Sequence, residues 1–379
     1  MTSKDQLAHE VNNASSGQRP GSETASSVPP GVVDPLKPDD GPELVFGLIG
    51  PVGTDLPLVR SAVTKELLEV GYEAIHVRVS SLLHQIAQYQ ELPALDESSE
   101  YVRVKQHMQA GTELRNKTGR GDIMALMAVS EMRRLRAQLN SARRHVLPEG
   151  SRPEDVPVHR VAYIVDSLKH PHEVESLREI YGPAFMVIAA YSSRPKRVEA
   201  MAGRIMTSVH SSARDAHRAE AEELIKIDED EEGEELGQNV SRAFPLADCF
   251  VDVTDRARVQ LALERFIKLL FSHPYLTPTR DEFAMFHASS TAHRSADLSR
   301  QVGAVIATKE GDIVAVGCND VPKARGGLYW CDDPKDQRDF QKGFDMGARS
   351  RQEILAESFP SFATEDGLRQ IRPPFQSES

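Results

Sequence analysis

The chain of 379 residues contains few cysteines, few aromatic residues and no long apolar run. Cys249, Cys318 and Cys331 are too few for the disulfide framework of a small secreted domain, and they indicate a reducing compartment such as the cytoplasm. The sequence shows neither an apolar membrane span nor a signal-peptide pattern, so no membrane association is expected. A net charge of -12 argues against binding to long nucleic acids, because phosphate backbones select basic surfaces.

The remaining composition divides the chain into four segments. Residues 1–42 are rich in Ser, Pro and Gly and are predicted to form a disordered arm, and residues 359–379 are predicted to form a loose tail. Between them we predict an α/β protein with two domains, residues 43–256 and residues 257–358. A parallel sheet is favoured in the first domain by short apolar runs that alternate with helical patterns, at 43–49, 74–79, 160–165 and 185–190.

The first apolar run is followed by a glycine-rich turn, Gly50 to Asp55, and by a helical pattern that starts at Leu56. This is the context of a P-loop, whose backbone N–H groups surround a phosphate. Leu56 and Pro57, however, stand where a kinase needs its phosphate-binding Lys and its Mg²⁺-binding Ser or Thr. Two interpretations stay open: a purely structural turn, or nucleotide binding without phosphoryl transfer, in which the phosphate-binding residues would be Gly50, Val52, Gly53 and Thr54.

Three further polar features have both a functional and a structural interpretation. Asp166 ends a predicted strand where P-loop enzymes hold Mg²⁺, but a structural hydrogen bond is favoured because the partner residues are absent. The basic run from Arg194 to Arg197 fits either a phosphate-binding lid or a solvated loop. The acidic run from Asp228 to Glu235 is predicted to be an exposed loop.

A β-hairpin is predicted from two apolar, β-branched runs, Gln301–Thr308 and Ile313–Cys318, around a Gly-containing turn. This hairpin resembles the opening of a cytidine/deoxycytidylate deaminase domain. The resemblance rests on the segment QVGAVI in the first strand and on an Asn that follows the second strand. That resemblance implies that Asn319 faces the sugar of a nucleoside substrate.

The resemblance extends over residues 43 to 355, through GLIGPVGTDL, HMQAGTELRNKTGRGDIMA, AYIVDSLKHPHEVESLREIYG and QRDFQKGFDMGARSR. In this order the words resemble bacterial anti-phage dCTP deaminases, in which a P-loop kinase-like domain precedes a deaminase domain. The resemblance implies hydrolytic, zinc-dependent deamination of dCTP or dCMP to deoxyuridine nucleotides, as an antiviral defence. It also implies a small nucleotide partner, either this substrate or a triphosphate regulator.

The chain departs from that family at the zinc site, whose signature is H-x-E followed by P-C-x-x-C. No His follows His293, and the three cysteines are too far apart for C-x-x-C. We therefore expect no metal site, no bound zinc and no catalytic residue, as if the chain stopped before these motifs. Two hypotheses remain: a truncated deaminase-family member that is inactive alone, and a non-catalytic nucleotide-binding or partner-binding protein. Either could form a homo-oligomer.

Overall fold

The computed structural model describes residues 41–358, except for 87–91, 93–94, 144–146, 232–233 and 235. Of the predicted arm, residues 1–40 lie outside the described residues, as does the whole predicted tail, 359–379. No helix within the described ranges combines the length and the apolar character that a bilayer crossing requires. The chain forms two compact units that divide between Ser272 and His273.

The first unit is built on a five-stranded sheet in which every neighbouring pair is parallel, in the order β2-β3-β1-β4-β5. This confirms the predicted α/β class with a parallel sheet. The central strand β1 is buried along its whole length, as expected of a strand that has helices on both faces. The strands are β1 Leu44–Ile49, β2 Glu73–Arg78, β3 Val161–Leu168, β4 Phe185–Tyr191 and β5 Cys249–Asp252.

Helices cover both faces of this sheet. They are α1 Leu56–Glu69, α2 Val79–Ile86, α3 Glu100–Thr118, α4 Ile123–Ala142, α5 Pro171–Tyr181, α6 Arg194–Ser208, α7 Arg218–Glu229, α8 Val240–Ala243 and α9 Arg256–Leu270. Successive β1 side chains face opposite sides: Val45 joins a core with α2 to α5, and Phe46 joins a core with α1 and α9. A smaller core, around Met201, joins α3, α6 and α7.

The boundary between the units lies one helix later than the sequence predicted. A division between residues 256 and 257 would separate α9 from the sheet. Instead, Val259, Leu263 and Ile267 of α9 are buried in the same core as α1, so the helix belongs to the first unit. Their spacing of four residues places them on one face of the helix, and this face is what ties α9 to the sheet.

The second unit contains the predicted hairpin. Strands β6 Gly303–Ala307 and β7 Ile313–Cys318 pair antiparallel, and helix α10 Arg280–Ala292 packs against them. The approach is close: a Cβ added at Gly303 would lie 1.9 Å from the Ala288 carbonyl oxygen. Two further helices follow, α11 Asp339–Lys342 and α12 Met346–Ser358. Among its described residues, this unit buries no apolar side chain.

Candidate phosphate-binding cleft

The turn after β1 has the geometry that its glycine requires. Gly53 has φ +86°, and a Cβ there would lie 2.4 Å from the Arg197 carbonyl oxygen at the start of α6. The Thr54 N–H donates to the Pro51 carbonyl over 3.0 Å. Asp55, which takes the place of a third P-loop glycine, caps α1 by accepting a hydrogen bond from the Leu58 N–H over 3.1 Å. Gly53 is therefore needed for close packing against α6, whether or not a ligand binds.

A buried carboxylate of the chain already occupies part of this turn. The Val52 N–H donates to Asp228 Oδ2 over 2.7 Å, and Asp228 Oδ1 accepts from Lys169 Nζ over 2.7 Å. Lys169 Nζ also donates to the Gly50 carbonyl over 2.9 Å. The prediction of an exposed acidic loop is thus wrong for Asp228, which is fully buried in the last turn of α7. Its burial is explained by its pairing with Lys169 and the Val52 N–H.

A cleft of about 710 Å³ opens beside the turn, at the carboxyl ends of β1 and β3. This is where open parallel sheets bind their ligands. Glycine-rich backbone from Gly50 to Thr54 forms one wall, so the structure brings all four predicted phosphate-binding residues to the cleft. Six basic side chains also line it: Arg60, Arg78, Arg103, Arg115, Lys169 and Arg204.

Arg115 on α3 is the most unusual of these basic residues, because it is only 2% exposed and incompletely hydrogen-bonded. Its Nη2 donates to Glu173 Oε1 over 2.9 Å, but Nε and Nη1 have no partner among the described residues. Gly111, one turn earlier, leaves space above it: a Cβ there would lie 3.9 Å from Arg115 Nη1 and 3.7 Å from Gln238 Nε2. A buried N–H without a partner is costly, so this guanidinium is suited to an anion that enters the cleft.

The other basic side chains differ in how far they are neutralised. Arg60 Nη1 donates to Asp166 Oδ2 over 3.0 Å, which agrees with the structural role favoured for Asp166. Arg103 and Arg204 both bond Glu100; burial opposes ionisation of that carboxyl, but the two guanidinium groups outweigh it and lower its pKa. Arg78 is exposed and has no ion pair with any described residue, which leaves its charge open to a ligand.

Two arginines of the basic run at the start of α6 are tied to the protein. Arg197 is buried and its Nη2 donates to Glu229 Oε1 over 2.6 Å, while Arg194 lies 3.8 Å from the same carboxylate. Both guanidinium groups are therefore held at α7, and no residue from Arg194 to Arg197 lines the cleft.

Asn319, at the end of β7, uses its side-chain amide within the second unit. Oδ1 accepts from the Val302 N–H over 2.7 Å and from the Ser295 hydroxyl over 3.0 Å, and Nδ2 donates to the Arg300 carbonyl over 2.8 Å. These bonds fix the loop from 295 to 302 to the strand end. Each polar atom of the amide thus has a protein partner in this conformation.

Sequence reasoning missed the two cations that define the cleft beside the turn. Arg115 and Gly111 lie in the segment HMQAGTELR, and Lys169 lies in the segment SLKHPHE. Both segments contributed to the family resemblance, but the sequence alone indicated no role for these three residues. A lysine that follows β3 thus lies beside the turn, although the turn itself lacks one at Leu56.

Comparisons with known proteins leave the family of the chain open. Neither a protein-family model nor a curated protein matches it. Among solved structures, a gluconokinase from Sinorhizobium meliloti 1021 is 13% identical, with a TM-score of 0.28 over 62% of this chain and 98% of that one. A protein assigned as a fructose transport system kinase from Silicibacter sp. TM1040 is 14% identical, with a TM-score of 0.26 over 57% and 90%. Likeness at this level does not indicate an activity.

Proposed function

We propose that the first unit binds the phosphate groups of a small nucleotide in the cleft beside Gly50–Thr54. The observation that supports this best is Arg115: a guanidinium that is 2% exposed, lines the cleft and has two N–H-bearing nitrogens without a partner among the described residues. A phosphate oxygen would complete its hydrogen bonding, and planar guanidinium groups suit phosphates. Arg78 adds an exposed positive charge at the same cleft.

The same geometry argues against phosphoryl transfer. Leu56 and Pro57 stand in place of the residues that bind phosphate and Mg²⁺, and the Val52 N–H is occupied by Asp228. Asp166, the candidate Mg²⁺ ligand, is paired with Arg60. We therefore propose a sensor or regulatory nucleotide site. The resemblance to dCTP deaminases makes dCTP, dCMP or a triphosphate regulator the first ligands to test, and the cleft volume lies within the range of small-molecule sites.

The experiment fills the cleft without removing any charge. In Gly111→Leu the added side chain would occupy the space beside Arg115 and Gln238, whereas Gly111→Ala adds a Cβ at ordinary contact distances. Isothermal titration calorimetry would compare dCTP, dCMP, ATP and deoxycytidine on the full chain. We expect dCTP to bind the wild type and the Ala variant, and the Leu variant to lose at least about tenfold in affinity, or 1.4 kcal/mol.

Two features keep this test decisive. Deoxycytidine should bind far more weakly than dCTP, because it lacks the phosphates. Arg78→Gln, an exposed change that leaves the core intact, should also weaken dCTP if the phosphates lie in this cleft. Equal dCTP affinity in wild type, Gly111→Leu and Arg78→Gln would place the ligand elsewhere, and no binding of dCTP, dCMP or ATP to the wild type would contradict the proposal.

We also propose, for the second unit, descent from zinc-dependent deoxycytidine-nucleotide deaminases of anti-phage defence. The observation that favours this is the close packing of α10 on the β6–β7 hairpin at Gly303, which is the helix-and-hairpin opening that the resemblance implies. With neither H-x-E nor P-C-x-x-C after the hairpin, deamination by this chain alone is not expected. Sequencing the gene downstream of the codon for Ser379 tests the descent: both motifs there, in any frame, would support it, and unrelated sequence would count against it.

A further inference from the structure

Three side chains that sequence reasoning did not connect converge at one edge of the first unit. His84 lies on α2, His107 lies on α3, and Glu97 lies in the segment before α3. His84 Nε2 is 3.1 Å from His107 Nε2 and 3.7 Å from Glu97 Oε1, and one ligand atom from each residue lies within 4.8 Å of the others. Two imidazoles and a carboxylate are a common ligand set for zinc.

The separations fit a tetrahedral ion. With bonds of about 2.0–2.1 Å, two ligand atoms at the tetrahedral angle are about 3.3 Å apart. The separations of 3.1 Å and 3.7 Å lie on either side of this value, and all three ligand atoms lie within 4.8 Å of one another, so side-chain rotations could bring them to one ion. Three protein ligands would leave a fourth position for water or for a donor atom of a bound molecule.

Hydrogen bonding directs the nitrogen lone pair of His107 toward this point. Its Nδ1 lies 2.7 Å from the Arg103 carbonyl oxygen, which can only accept, so Nδ1 carries the hydrogen. In the neutral ring Nε2 is then the free base. A carbonyl partner on the opposite ring nitrogen is the usual support of a metal-binding histidine.

We propose that His84, Glu97 and His107 form a zinc site at the rim of the cleft. Imidazole ligands favour zinc over Mg²⁺, which prefers oxygen. His107 also lines the cleft, so a bound zinc ion would add positive charge there. This site departs from the expectation of no metal in the chain, which considered only the deaminase motifs, and it does not depend on the proposed nucleotide binding.

The test measures zinc directly, on the full chain without a polyhistidine tag. Protein stripped with a chelator would be dialysed against a series of buffered free Zn²⁺ concentrations with 5 mM Mg²⁺, and its metal content at each concentration, determined by atomic emission, would give both the stoichiometry and the affinity. The variants are His84→Gln and Glu97→Gln, both at exposed positions, and the matched control is His273→Gln, an exposed histidine of the second unit. Circular dichroism melts would show that all four proteins are folded.

We expect about one zinc per chain in the wild type and in His273→Gln, and an affinity at least about tenfold lower in His84→Gln and Glu97→Gln. Cobalt in place of zinc should give the intense visible absorption of a tetrahedral site in the wild type and lose it in His84→Gln. A wild type that retains less than about a fifth of an equivalent would overturn the proposal. So would equal zinc affinity in all four proteins, since the ligands would then lie elsewhere.

Discussion

The buried ion pair beside the glycine-rich turn gives the sharpest stability prediction. Asp228 is fully buried, and Lys169 is 19% exposed. Removing one partner of a buried pair costs about 3–5 kcal/mol. In Asp228→Asn the amide oxygen still accepts from the Val52 N–H, and Lys169 keeps its bond to the Gly50 carbonyl. Because these two hydrogen bonds remain, we expect the free energy of unfolding to fall by about 2–3 kcal/mol, which is less than the loss of a whole buried partner would cost.

Urea unfolding followed by far-UV circular dichroism measures this loss. Fluorescence is unsuitable, because the single tryptophan, Trp330, belongs to the second unit. The matched control is Asp230→Asn, the same change two residues later at an exposed position, which should alter stability by less than about 0.5 kcal/mol. Equal, small effects of the two substitutions would show that the burial of Asp228 does not depend on its partners, contrary to this prediction.

Three other expectations concern the turn, the cysteines and the reaction. Gly53→Ala should lower the free energy of unfolding in urea by at least about 2 kcal/mol, because of the positive φ of Gly53 and its close approach to the Arg197 carbonyl. Gly119 also has a positive φ but has open space around it, so Gly119→Ala should lower this free energy by only about 1 kcal/mol. Equal losses in the two variants would contradict the close approach at Gly53. Burial and the charge of Asp248 raise the pKa of Cys249 to about 11. Iodoacetamide at pH 8 should therefore modify the exposed Cys331 well before Cys249, as followed by mass spectrometry. The reverse order would contradict the burial of Cys249. Chromatography should show dCTP and dCMP unconverted, and a deoxyuridine product abolished by a chelator would contradict the missing zinc motifs.

The centre of the sheet was predictable because its three inner strands, β3, β1 and β4, are mostly buried on both faces. Such strands read as continuous apolar runs, so β1, β3 and β4 were found to within a few residues. The division of the segment between β2 and β3 into helices has a local signal at Gly119, where α3 ends, because the φ of +63° at this glycine suits a left-handed cap.

The cleft was less predictable, because its contacts join distant parts of the chain. Val52 and Asp228 are 176 residues apart, and nothing local to either residue indicates their hydrogen bond. An acidic run is usually solvated, so Asp228 was assigned to the surface; only the approach of Lys169 makes its burial favourable. The His84, Glu97 and His107 cluster was missed for the same reason, since its residues come from different elements.

We propose above that the cleft beside the glycine-rich turn binds nucleotide phosphates through Arg115. A crystal structure of the full chain grown with dCTP tests it most directly. We expect phosphate oxygens within about 3 Å of Arg115 Nη1 or Nε, with the phosphate chain next to Gly50–Thr54. Density for dCTP on another surface, with the cleft occupied only by water, would contradict it.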